Sequence, residues 1–268
     1  MELLKTEKIK SIYIASDGIN SAREHDIELV EEVQDLLKEW RGTDRRVKLS
    51  HSNKNMGLKK RMTSAIDWIA SETDRFIVLE DDCLPNSSFL DFAESGLDAY
   101  VDDPSVTAIC GFNRYPGDCP IKGAQCFLSC WHSCWGWATW SHKWRSYRNL
   151  TIPSVLVRLM LRMLNLKNYK FTIYYMIGVF LSLSGLRQSW AYLWSCYNYA
   201  YEFTALYPTV NLITNCGQGG DATNTVKINK LPYTELMTIS NKAISSAEVW
   251  EGYSHLAVSY FVNRKSND

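Results

Sequence analysis

The chain has 268 residues, 46% of them hydrophobic and 22% charged, which suffices to bury the core of one large α/β domain. Its 29 Lys and Arg balance 29 Asp and Glu, so no net field gathers nucleic acid, and no basic stripe is visible; nucleic acid is excluded as a partner. Ten Trp and fifteen Tyr are many for this length. They read either as an aromatic-rich core or as the stacking faces that carbohydrate sites use.

The first half alternates strands with helices. Ser11-Ile12-Tyr13-Ile14-Ala15 is a short apolar strand that stops at the turn Ser16-Asp17-Gly18. Residues 26–40 carry Ile27, Val30, Val33, Leu36 and Leu37 at helical spacing. Residues 46–50 form the next strand, and residues 58–70 the next helix, with Met62, Ala65, Ile66 and Ile69 on one face. Arg75-Phe76-Ile77-Val78-Leu79 is the clearest buried strand, and Glu80-Asp81-Asp82 follows it at once. A helix over 89–100 and a strand over 106–110 complete the pattern, which predicts a mostly parallel, twisted sheet with helices on both faces.

After Gly111 the alternation fails. Aromatics crowd residues 130–144, helices are predicted over 153–203, and a Gly-rich polar loop runs over 215–225. The expectation is a single domain over 1–268, its nucleotide-binding half over 1–111 and an acceptor-side half, helical and aromatic, over 112–268. The apolar stretch 171–186 is too short to span a bilayer. Just before it, Arg158 and Arg162 stand four apart on one helical face, which reads either as plain packing or as contact with an anionic membrane surface. No charged-then-apolar leader opens the sequence, so a cytoplasmic protein with reduced thiols is expected, with peripheral contact at the inner face of the membrane as the variant. Cys126, Cys130 and Cys134 surround His132 at a spacing unlike the usual zinc sites.

Chemistry concentrates in Glu80-Asp81-Asp82. Ligands of open α/β sheets bind beyond the carboxyl ends of strands, and three adjacent carboxylates repel one another unless a cation intervenes. Hard oxygen donors suit Mg²⁺ or Mn²⁺, which complete their shells with phosphate oxygens. The plainer reading is an acidic turn capping the next helix.

Phe76-Ile77-Val78-Leu79-Glu80-Asp81-Asp82-Cys83-Leu84-Pro85, followed by Phe89-Leu90, resembles the acidic motif of GT-A nucleotide-sugar glycosyltransferases, above all the N-acetylglucosaminyltransferase I family and its bacterial relatives in surface-polysaccharide synthesis. Tyr13-Ile14-Ala15-Ser16-Asp17-Gly18, Asn55-Met56-Gly57-Leu58, Ser133-Cys134-Trp135-Gly136-Trp137-Ala138-Thr139-Trp140 and Gly220-Asp221-Ala222-Thr223 are similar to further pieces of that family, in the same order. The resemblance implies a GT-A-like (Rossmann-like) fold. It also implies a Mn²⁺ or Mg²⁺ cofactor on Asp82, a UDP-sugar donor, and a saccharide or lipid-linked acceptor receiving the sugar with inversion. Glu80 and Asp81 would contact the donor's ribose and base, and Asp17 the base itself. Lys59, Lys60 and Arg61, near the same sheet edge, read either as phosphate ligands or as a solvated run. Trp135, Trp137 and Trp190 are assigned to the acceptor side; the spacing of Trp135, Trp137 and Trp140 suits an acceptor cleft and core packing equally well.

Two departures stand out. The family's first strand, which precedes the one matching residues 11–15, has no counterpart here. The stretch Trp190-Ala191-Tyr192-Leu193-Trp194 lacks the Asp that the family carries as general base, leaving Asp221 and Glu202 as candidates by elimination. The rival readings are a truncated, inactive GT-A-fold binding or scaffold protein, and a sugar-phosphate nucleotidyltransferase.

Overall fold

The computed structural model describes residues 7–21, 26–113, 121, 123–164, 169–217, 240–245 and 247–249. The protein is mixed α/β and falls into two compact units: residues up to Glu72 with 188–190, and residues 73–187 with those from 191 onward.

In the first unit, β1 (Ile12–Ser16) and β2 (Val47–His51) pair in parallel, Ile12 opposite Val47 through Ser16 opposite His51. Between them runs α1 (Asp26–Thr43), and α2 (Leu58–Glu72) follows. Ile66 and Ala70 bury the inner face of α2, while the predicted Met62, Ala65 and Ile69 are half-buried. The stripe expected on α1 behaves otherwise. None of its residues is buried, and Ile27, Val33 and Leu36 are exposed. A two-stranded sheet is too narrow to cover a helix of eighteen residues.

The second unit is built on a five-stranded sheet in the order β3-β7-β5-β8-β6. Its strands are β3 (Arg75–Val78), β5 (Val106–Cys110), β6 (Cys126–Ser129), β7 (Trp137–Trp140) and β8 (Thr204–Pro208). Only β5 and β8 are parallel neighbours; β3–β7, β5–β7 and β6–β8 are antiparallel. The mostly parallel sheet expected from the sequence is therefore corrected to a mixed one. Three of its five strands come from beyond Gly111, where helices and an aromatic cluster were expected. Every residue of β6, β7 and β8 is buried. Strands covered on both faces show no alternation, which removes the period-two signal. β3 lies at the end of the sheet, and only Phe76 of it is buried, so it is not the deeply buried strand its apolar residues suggested. A second small sheet pairs β4 (Cys83–Pro85) antiparallel to β9 (Ile213–Asn215).

The helices of this unit are α3 (Ser87–Ala99), α4 (Ser141–Arg148), α5 (Ile152–Met163), α6 (Tyr169–Leu183), α7 (Trp190–Ala200) and α8 (Asn241–Ser245). The main core gathers Phe89, Phe92 and Leu97 of α3 against Val106, Ile109, Ala138 and Leu206 of the sheet. Trp137, Trp144 and Trp194 meet in a buried aromatic cluster with ring centroids 5.5–6.3 Å apart. Lys143 of α4 is buried beneath it, its ammonium donating to the carbonyls of Tyr100 (3.3 Å), Asp103 (2.8 Å) and Val106 and lying 3.8 Å from the Trp140 ring centroid.

A second buried polar group sets an acid limit on stability. Thr107 Oγ1 donates to Asn198 Oδ1 at 2.6 Å and lies 2.9 Å from His132 Nε2, so the imidazole is the donor of that second bond. Burial lowers the His132 pKa from 6.5 to about 3. The unfolded chain thus takes up this proton first as pH falls. Stability from His132 is complete above pH 6.5 and is lost at roughly 1.4 kcal/mol per pH unit below it. Urea unfolding measured across that range should show this slope, and His132→Gln should flatten it; equal slopes would exclude His132 as the cause.

Candidate functional site

Because β3 and β5 are both antiparallel to β7, and β8 is parallel to β5, the carboxyl ends of β3, β5 and β8 share one sheet edge. Glu80-Asp81-Asp82, Gly111-Phe112-Asn113 and the turn after Pro208 all fall there, as does Trp135 just ahead of β7. That edge is where open α/β sheets bind ligands. Trp135 is half-buried and packs edge-on to Phe112, with centroids 4.5 Å apart.

The acidic turn is closely braced. Cys83 N–H donates to the Glu80 carbonyl at 3.0 Å, and Cys216 N–H to the Asp82 carbonyl at 2.7 Å, which lashes the turn to the end of β9. Asp82 Oδ1 accepts the Cys83 thiol at 3.3 Å. Gly217, whose N–H is held by Asn215 Oδ1 at 3.0 Å, lies so close that a Cβ there would stand 2.2 Å from Asp82 Oδ2. Behind the turn the thiols stay protonated. Burial, then the charges of Asp82 and Glu80, raise Cys83, and burial with Glu80 does the same to Cys134. Burial raises Cys110 to about 11. Asp81 is exposed, and Glu80 and Asp82 are half-buried.

The acidic residues do not cap the following helix. Asn86 does so, accepting Ser88 N–H at 3.1 Å, with β4 between it and Asp82. Among the described residues, no three Asp, Glu, His or Cys side chains gather in a metal-holding group. Any cation at Asp82 would have to take most of its ligands from groups other than the described side chains.

In the first unit Asp17 follows β1 and accepts three backbone N–H groups: Gly18 (2.9 Å) and Met56 (2.8 Å) on Oδ1, and Gly57 (2.9 Å) on Oδ2. It thereby ties the end of β1 to the entry of α2, where Gly57 takes a φ of 75° that only glycine adopts without strain. Arg61 is not a phosphate ligand here. Its side chain is buried, donating to the Ser16 carbonyl (2.9 Å), the Ser50 carbonyl and Ser50 Oγ (3.1 Å), and so bolts the ends of β1 and β2 together. Lys59 is half-buried and Lys60 exposed on the same turn of α2. Ser16 Oγ lies 2.5 Å from His51 Nδ1 at the same strand ends, a pair the sequence reading missed because 35 residues separate its members.

The remaining assignments divide. Trp137 is fully buried within β7, and Trp190, which opens α7, is 3% exposed, so both belong to packing rather than to an acceptor wall. Trp140 is likewise core, under the Lys143 ammonium. Glu202 is exposed at a φ of 61° just past α7, its carboxylate 2.6 Å from the Arg162 guanidinium. It precedes β8, at the end of that strand opposite the carboxyl edge where the acidic turn lies, so this candidate is withdrawn. Asp221 and the rest of the Gly-rich loop after Gly217 lie outside the described residues.

The fold thus defines a mixed α/β protein with an acidic turn braced at the carboxyl edge of its main sheet. Neither a scan against protein-family models nor a search of curated proteins returned a match.

Proposed function

We propose that the chain is a metal-dependent glycosyltransferase moving a sugar from a nucleoside diphosphate donor, UDP in the first instance, to a saccharide or lipid-linked acceptor. One observation carries the reading. Glu80, Asp81 and Asp82 stand at the ligand-binding edge of the sheet, and the helix-capping role that would otherwise account for them belongs to Asn86. The resemblance of residues 76–85 to the GT-A acidic motif adds the reaction class.

In this reading Asp82 holds the divalent cation, and Asp81 and Glu80 orient the donor's ribose. Trp135, on the same edge, offers a ring face to a sugar. The cation, when bound, neutralises charge on the departing diphosphate. The residues around it work by preorganised electrostatics; no covalent step on the protein is required.

Calorimetric titration of the folded protein with UDP tests this. Binding is expected with Mn²⁺ and should vanish when a chelator is added. A folded chain that ignores UDP with and without Mn²⁺ would instead favour a binding or scaffold protein. Release of pyrophosphate from a nucleoside triphosphate and a sugar phosphate would identify a nucleotidyltransferase.

A further inference from the structure

The balanced net charge conceals a segregation. No Asp or Glu occurs between Asp118 and Glu202, a stretch that carries nine Lys and Arg. At its centre α5 packs on α6, and their inner faces bury Leu159, Phe171, Tyr175 and Val179 together with Tyr199 of α7. The outer faces are as apolar as the inner ones.

On α5, Val157, Met160, Leu161 and Leu164 are exposed at spacings of three, one and three residues, a single helical face, and Leu164 is 79% exposed. On α6, Ile173, Ile177 and Phe180 repeat the pattern, with Phe180 69% exposed. Soluble monomers rarely leave so much large apolar surface contiguous on one motif. α6 has fifteen residues, about 22 Å of helix, against the roughly 30 Å of a hydrocarbon core, and no described helix is long and apolar enough to cross a membrane.

Arg158 and Arg162 share a face, as their spacing predicts. That face turns sideways, stacking the guanidinium groups over Tyr201 (4.6 Å) and Tyr199 (4.2 Å); Arg162 is in addition paired with the Glu202 carboxylate at 2.6 Å, so Arg158 is the arginine that borders the apolar surface with its charge. Lys170 is exposed at the start of α6. An apolar face bordered by cations, in a segment without one carboxylate, matches a surface that is apolar beneath and anionic above. A second copy of this chain would bring the same positive charge against itself.

We propose that α5 and α6 form a monotopic docking surface that lies in the interface of an anionic lipid bilayer. The site stands apart from the transferase reading, and its test needs no donor or metal.

The full chain is mixed with phosphatidylcholine vesicles, with and without phosphatidylglycerol, and floated. Binding is expected to the anionic vesicles, to weaken as salt rises, and to fall about tenfold or more in Ile177→Ser/Phe180→Ser. Both side chains are exposed, so circular dichroism should be unchanged; Met160→Ser/Leu161→Ser on α5 repeats the test should that variant not fold. No binding to anionic vesicles, or binding that neither variant weakens, would overturn the proposal. So would a lipid-free dimer, seen by sedimentation, that either variant converts to monomer, because the face would then be an interface between copies.

Discussion

Asp82→Ala is expected to weaken Mn²⁺-dependent UDP binding by at least about a hundredfold while leaving the protein folded. The carboxylate is half-buried, and among the described residues its side-chain partner is a weak thiol donor, so little stability rests on it. Asp81→Ala removes an exposed carboxylate from the same turn and should cost less affinity without abolishing the metal dependence. Gly217→Ala gives an independent reading of the same atom. Its Cβ would meet Oδ2 at 2.2 Å and push the carboxylate aside, so binding should fall with Asp82 itself intact. Calorimetry on the three variants separates the outcomes. Unchanged binding in Asp82→Ala would remove Asp82 from the site.

Lys143→Met should be the most damaging single change to the fold, costing roughly 3–4 kcal/mol and lowering the melting temperature by about 10 °C. The ammonium is the common donor to three carbonyls at the exit of α3 and the start of β5, and it sits over the Trp140 ring. Burial lowers its pKa to about 8, so it still carries its charge at neutral pH. Methionine fills the same channel with no donor and leaves those carbonyls short of a partner. Because all the groups involved lie in the second unit, a calorimetric scan should show the shift in whichever transition reports that unit. A loss below about 1 kcal/mol would mean that water replaces the ammonium at little cost.

The place of the acidic turn was legible in the sequence because it is local. An apolar strand followed at once by three carboxylates states its own position at a strand's carboxyl end, and the spacing of Met62, Ala65, Ile66 and Ile69 gives a face of α2 of which Ile66 is buried and the other three are half-buried. What failed were readings that depend on partners distant in sequence. Arg61 looked like one of three surface cations. It is buried because the ends of β1 and β2, forty-five and eleven residues away, present carbonyls to its guanidinium. Trp137 and Trp190 carry the same residue type as Trp135, yet only Trp135 lies at the carboxyl edge of the sheet, since Trp137 sits within β7, covered on both faces, and Trp190 is buried at the entry of α7.

By itself the sequence determined the first strands, the helices α1 to α3 and the helical stretch of α5 to α7, and the place of the acidic turn, because hydrophobic period and neighbouring side chains act within a few residues. Only the tertiary structure decided that the main sheet is mixed, that β6, β7 and β8 complete it, and that Gly217 presses on Asp82 from 135 residues away. Strand order, direction and such contacts are fixed by long-range backbone pairing and burial, which leave no periodic trace when both faces of a strand are covered.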